Sequence, residues 1–282
     1  LHDALPICWT IKLRGNLSGA WIRTTGRNGE DQYHTEVESD FRGTLSMAVA
    51  YRGLGAAVAL NPMKLAGKSQ DYELNVNSYS NRFGFDIVFL SSKTYHGKAS
   101  MNDEVTPIEK GAIRQQALNV NLYYAFNSKR FSFPAAFSQS YLQRRSAGSF
   151  MVGASFDGQI TDIDANETAN QQPINLKLME IGIGAGYGYN LVAGKRWLFH
   201  LSLLPTFDFY IHSRLKENGE RINLHYRFPS LITTGRGAAV YSWRNQFAVA
   251  SLIYNYSVVG DRDQLQVRRS KWRVRFTYGF RF

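Results

Sequence analysis

Alternation with period two runs along almost the whole chain, and it restricts the fold more than any other feature. Trp272, Val274, Phe276, Tyr278, Phe280 and Phe282 fall on one face of a strand, with Lys271, Arg273, Arg275, Thr277, Gly279 and Arg281 on the other. Gln116, Leu118, Val120, Leu122, Tyr124 and Phe126 alternate with Gln115, Ala117, Asn119, Asn121, Tyr123 and Ala125. Trp197, Phe199, Leu201 and Leu203 alternate with Leu198, His200, Ser202 and Leu204, and Ile222, Leu224, Tyr226 and Phe228 with Arg221, Asn223, His225 and Arg227. No helical stretch is expected.

A soluble sandwich alternates too, but it turns its apolar faces inward and its charges to water. Here the apolar faces are heavily aromatic, most densely near strand ends. The polar faces carry Arg, Lys, Asp, Glu or His on nearly every strand. A membrane barrel puts such charges in its lumen and the aromatics at the two lipid interfaces. No run approaches ~18 apolar residues, so no transmembrane helix is available. The low mean hydropathy suits a wall in which every second residue meets lipid. A hydrophobic share of 44% excludes a disordered chain, and the single Cys excludes a disulfide framework or Cys-based metal cluster.

Five short turns and six longer polar connections separate twelve expected strands. The short turns lie near Arg52-Gly53, 80–82, 127–129, 190–195 and Arg244-Asn245; the long ones near 22–40, 61–70, 96–111, 157–175, 212–220 and 258–266. An even count puts both termini on one side, periplasmic if the short turns are periplasmic. Segments 131–156 and 221–243 each read as one tall kinked strand or a hairpin, with bends at Pro134 and Pro229. The fold class is therefore an all-β, closed, antiparallel transmembrane barrel of about twelve strands over residues 9–282. Residues 1–8 are set apart. His2–Ile7, HDALPI, back-translates to CAC GAC GCT CTT CCG ATC, the end of a common sequencing adapter, so the native N-terminus and its signal peptide are expected to be missing.

The last strand ends in Phe282 with Tyr278 and Phe280 before it, and resembles the signal by which the barrel-assembly machinery recognises and inserts outer-membrane barrels. The segment Phe131-Ser132-Phe133-Pro134-Ala135-Ala136-Phe137-Ser138-Gln139, with Gln143-Arg144-Arg145-Ser146-Ala147-Gly148-Ser149-Phe150, resembles the signature region of the domain of unknown function 4421 family. The run from Tyr51-Arg52-Gly53-Leu54-Gly55 through Asn81-Arg82-Phe83-Gly84-Phe85-Asp86 is similar to the same family. The resemblance implies a Gram-negative outer-membrane barrel without an established activity, and it brings no catalytic residues.

Lys+Arg outnumber Asp+Glu by 33 to 22, a net charge of +11. Lys12 and Arg14 on the first strand are expected beside Lys271, Arg273 and Arg275 on the last, with Arg221, Arg227 and His225 elsewhere on the inner wall. Glu73, Asp86, Glu180 and Asp208 are the inward acids. Such a patch selects anions or sugar acids in a pore, or else it forms internal ion pairs that fill the lumen. Outward and loop basics are expected to meet lipid and lipopolysaccharide phosphates. Nucleic acid is not an expected partner, because the basics alternate with lipid-type aromatics.

Gly182, Gly184, Gly186 and Gly188 share one face, expected to make room for long side chains across the lumen. His200-Leu201-Ser202 puts an imidazole and a hydroxyl on one face, the one spacing that suggests nucleophilic catalysis. It faces inward near the short-turn end, with no orienting carboxylate evident. His34, His96 and His212 show no metal spacing. The expected function is a non-enzymatic outer-membrane barrel without cofactor or metal, structural or passing small anionic solutes. The alternatives are a lipid hydrolase using Ser202 and His200, or a surface-binding protein using loops 22–40, 96–111 and 157–175.

Overall fold

Strands with one greasy and one charged face, placed in lipid, must pair every backbone group, and only a closed sheet does so. The computed structural model describes residues 4–6, 9–28, 31–51, 54–60, 71–102, 104–164, 174–217, 220–222, 230–261 and 265–282. Its elements are β1 (Ala4–Pro6), β2 (Trp9–Asn28), β3 (Asp31–Glu38), β4 (Arg42–Tyr51), β5 (Leu54–Leu60), β6 (Tyr72–Tyr79), β7 (Phe83–Met101), β8 (Glu104–Ala125), α1 (Phe133–Phe137), β9 (Tyr141–Gln143), β10 (Ala147–Ile163), β11 (Ile174–Ala193), β12 (Trp197–Glu217), β13 (Glu220–Ile222), β14 (Ser230–Trp243), β15 (Gln246–Asp261) and β16 (Leu265–Arg281). Antiparallel ladders join β2, β3, β7, β8, β10, β11, β12, β14, β15 and β16 into a ring of ten strands. The ring closes where β16 meets β2, from Leu265↔Gly26 to Arg281↔Thr10.

The remaining strands explain the difference from twelve. β3 and β4 run in succession along β2, which pairs with β3 over Trp21–Asn28 and with β4 over Trp9–Ser18. At the loop end β3 passes directly to β7. At the short-turn end β4 passes to β5, and β6 pairs with the lower part of β7. The half-height pair β5 and β6 is thus wedged into one end of the wall. No ladder joins β5 to β6 among the described residues.

The outer face is apolar. Leu201 is 73% exposed, while its neighbours His200 and Ser202 are 4% and 3% exposed and face the lumen. Aromatics cluster at two levels: Trp9 against Tyr51 and Trp197 against Tyr241 near the short turns, Trp21 against Tyr256 toward the loops. The twelve steps from Trp9 to Trp21 rise about 30 Å at ~3.3 Å per residue and a ~40° tilt, enough to cross the hydrocarbon layer.

Several expected connections are different in kind. Segments 22–40, 96–111 and 258–266 are mostly strand: β2–β3, β7–β8 and β15–β16 continue as hairpins above the upper aromatics, with Asn102 turning at φ 46°. Their polarity reflects water outside the membrane, not loss of pairing. Segment 61–70 and much of 157–175 lie outside the described residues. Segment 221–243 begins with β13 folding back on β12 and resumes as β14 at Ser230, with 223–229 outside the described residues.

The largest departure is segment 131–156, which is neither a tall strand nor a barrel hairpin. After the turn at 126–130 the chain enters the lumen and forms α1. It returns through β9, which pairs with β1 inside the segment read as adapter-derived, and joins the wall at β10. Ser132 caps α1 by accepting from Ala135 N at 3.3 Å, and Pro134 occupies the first turn, where its missing N–H costs nothing. The Gly stripe also differs from expectation. A Cβ at Gly184 or Gly186 would strike the backbone carbonyls of Pro205 or Leu203 on β12, so these glycines admit the neighbouring strand beside the register shift at Ile181/Gly182. A Cβ at Gly188 would meet the Phe131 ring at 3.0 Å, so this glycine makes room for the inserted segment.

Candidate functional site

The inserted segment plugs the lumen at the short-turn end. Phe131, Phe133 and Phe137 are buried and pack on Tyr79, Tyr123, Met151 and Leu198 of the inner wall. Polar latches hold it in place. Lys12 Nζ donates to Ser138 O, Arg281 NH2 to Gln139 Oε1 at 2.5 Å, and Asn190 Nδ2 to Ser132 O at 2.9 Å. Gln139 sits at φ 59°, a left-handed conformation unusual for Gln, and is further tied by its Nε2 donating to Ala135 O at 2.6 Å.

His200 and Ser202 lie beneath this plug. Asn190 Nδ2 donates to Ser132 O and to Gln143 Oε1, so its Oδ1 is the acceptor facing His200 Nδ1 at 2.6 Å. Nδ1 therefore carries the proton, and Nε2 accepts from Ser202 Oγ at 2.9 Å. Asn190 is the orienting group that sequence reasoning missed, because it sits on the adjacent strand, paired with His200 across the β11–β12 ladder. The rings of Phe131, Phe133 and Phe137 lie 5.9, 5.1 and 5.0 Å from the imidazole and cover it. The order of partners is that of an activated serine, but Asn190 and His200 also dock the plug, through Ser132 O and the three Phe rings.

Above the plug the lumen is filled by ion pairs. Asp86 accepts from Arg236 at 2.9 Å and from Tyr79 Oη, while Arg236 lies 5.3 Å over the Tyr123 ring. Arg42 reaches Asp71 and Glu73 at 3.3 Å each, and Arg273 reaches Glu73 at 2.7 Å. Arg269 is bound by Glu180, by Gln159 at 2.7 Å and, more loosely, by Asp157 at 3.7 Å. A cavity of about 80 Å³, lined by Asn119, Asn121, Asp157, Asn255, Arg269 and Lys271, remains between these groups.

One wall is different from the rest. Along the β2–β16 seam the inward positions carry Arg281, Lys12, Arg14, Arg275, Arg273, Lys271 and Arg269 in ascending order. The structure thus brings together Lys12, Arg14, Lys271, Arg273 and Arg275 from the patch read in the sequence. Arg227 and the side chain of Arg221 lie outside the described residues. Arg273 and Arg269 have carboxylate partners, but among the described residues Arg275 Nε has only the amide oxygen of Asn16, at 2.6 Å. Lys271 Nζ and Arg14 Nε have no hydrogen-bond partner among the described residues. Arg42, Asp71, Arg236, Arg269 and Arg281 were not singled out in the sequence, although their parity on the inner face was visible. Tyr278, Phe280 and Phe282 are exposed on the outer face near the closing seam.

The model of a domain of unknown function (DUF4421) matches residues 9–282. The chain belongs to this family. As a DUF4421 protein it is an outer-membrane-type β-barrel, and part of the segment whose sequence resembles the family's signature forms the plug. Among curated proteins none matches its sequence. The solved structures it is similar to include the outer membrane protease OmpT from Escherichia coli (7% identity, 99% of this chain and 98% of that one, TM-score 0.46). Others are the outer membrane protein OprG from Pseudomonas aeruginosa (10%, 98% and 97%, 0.31) and the toluene transporter TodX of P. putida (8%, 99% and 91%, 0.29). These likenesses carry no argument about activity.

Proposed function

We propose that this DUF4421 barrel is a non-enzymatic outer-membrane protein that takes small anionic solutes along the cationic β2–β16 seam and is held shut at the periplasmic end by its plug. The observation that carries the reading is the run of seam cations with no carboxylate at ion-pair distance among the described residues: Lys271, Arg275, Arg14 and Lys12. Each buried cation without a counter-charge costs several kcal/mol, and an anion in the lumen relieves that cost. The seam rises from the plug to the central cavity, and rings or rows of such groups favour anions over cations. The plug segment 131–143 carries no charged residue of its own.

Planar bilayers test this. Wild-type protein is expected to conduct little. Replacing residues 131–143 by a short Gly-Ser linker is expected to open an anion-selective pore, and Arg14→Ala with Arg275→Ala to reduce that selectivity. A folded, plug-free barrel that conducts nothing, or prefers cations, removes the proposal. The Asn190–His200–Ser202 relay favours hydrolysis as a second reading. Its coverage by three Phe rings weighs toward a docking role, in which Ser202→Ala leaves the membrane's lipid profile unchanged in cells overexpressing the protein.

A further inference from the structure

We infer that the outward face of β2, β3 and β16, just above the loop-end aromatics, binds the phosphate of an outer-leaflet glycolipid through Arg23, Arg27 and Arg268. This is independent of the lumen. On β2 the odd positions Ile11, Leu13 and Leu17 face lipid, and Trp21 continues that face to its partner Tyr256. Arg23 is the next outward residue above Trp21, with its guanidinium 5.9 Å from the indole, so it stands at headgroup height. Arg268 is directly opposite Arg23 across the closing ladder.

Two like charges directly opposite on one sheet face repel, and among the described residues the local carboxylates relieve only one of them. Glu36 binds Arg23 at 2.6 Å, and that hydrogen bond keeps the Glu36 carboxyl below its ordinary range, hence ionised. Glu38 lies toward His96, at 3.7 Å. Among the described residues, Arg268 donates to the amide oxygen of Gln266, at 2.9 Å, and to no carboxylate. His34 and Lys98 add positive or neutral groups from β3 and β7, and both act on Glu36. Arg23, Arg268 and His34 border an open cleft of about 700 Å³ that also includes Arg27, Thr25 and Gln32. Guanidinium forks match phosphate oxygens two at a time. The cleft's height fixes the source: a phosphate anchored at the membrane surface reaches it without leaving the bilayer. In a Gram-negative outer leaflet that phosphate belongs to lipopolysaccharide.

The test uses the purified full chain with vesicles of lipid A, of lipid A stripped of its phosphates, and with free inorganic phosphate as competitor. Wild-type protein is expected to bind phosphorylated vesicles at least about tenfold more tightly than stripped ones, the scale of one charge-assisted contact. R27Q/R268Q is expected to lose that preference while keeping the heat-dependent gel mobility of a folded barrel. Should the double variant fail to fold, R268K serves instead. It keeps the charge but not the fork, and is expected to weaken the preference. Equal binding to both vesicles, or an unchanged preference in folded variants, overturns the site. Release by millimolar inorganic phosphate overturns the lipid source.

Discussion

The two ends of the lumen are filled by different physics. At the short-turn end the plug makes an interior like that of a soluble protein: Phe131, Phe133 and Phe137 against Tyr123, Met151 and Leu198, with polar atoms satisfied by Asn190, Gln143 and Arg281. Toward the loops the interior is ionic, built from Asp86–Arg236, Glu73–Arg42–Arg273 and Glu180–Arg269. The plug is carried by one continuous segment, whereas every member of the ionic part is a wall residue. Under the proposed function, a passage opens by displacing the plug and proceeds by exchange along charges that stay in place.

The contrast can be broken at its strongest point first. Asp86→Ala leaves the buried Arg236 guanidinium without a carboxylate and is expected to cost about 3–5 kcal/mol, read as a shift in urea unfolding in lipid vesicles. A shift below ~1 kcal/mol would mean the ionic part is more hydrated than its burial suggests. Phe133→Ala is expected to cost about 3 kcal/mol of plug packing. Because the barrel wall survives its loss, it should show mainly as protease cleavage within 131–143 and raised conductance. A loss of the whole barrel instead would show that plug and wall fold as one unit.

Smaller changes sharpen the contrast. Asn190→Ala removes the donor to Ser132 O and the acceptor for His200 Nδ1 and is expected to cost about 2 kcal/mol, again seen in plug protection. Lys271→Met goes the other way. It removes an unpartnered ammonium and is expected to stabilise the barrel by about 1 kcal/mol while lowering anion preference; destabilisation would reveal a counter-ion held there. Ser202→Ala is expected to change stability by no more than about 1 kcal/mol, since His200 keeps its bond to Asn190.

The inner wall was legible in the sequence because strand parity assigns a face to each residue before any partner is known. Lys12, Arg14, Lys271, Arg273 and Arg275 were placed on one lumenal seam by parity and by the closure that lipid demands. The plug was not legible as such. Phe131, Phe133, Ala135 and Phe137 keep the period of a strand, and a helix of five residues is too short to show its own period. The signals that could have found it are Ser132 followed by Pro134, a helix start in the middle of an apparent strand.

Composition and alternation by themselves determined that this chain lines lipid with aromatics, encloses its charges and closes its sheet, because a bilayer offers the backbone no other partner. Which cations are neutralised was decided only in three dimensions. Arg273 finds Glu73 across two hundred residues while Lys271, two positions away, finds no hydrogen-bond partner among the described residues. Pairing depends on which strands face each other across a lumen, and that distance is set by the ring and its plug, not by order along the chain.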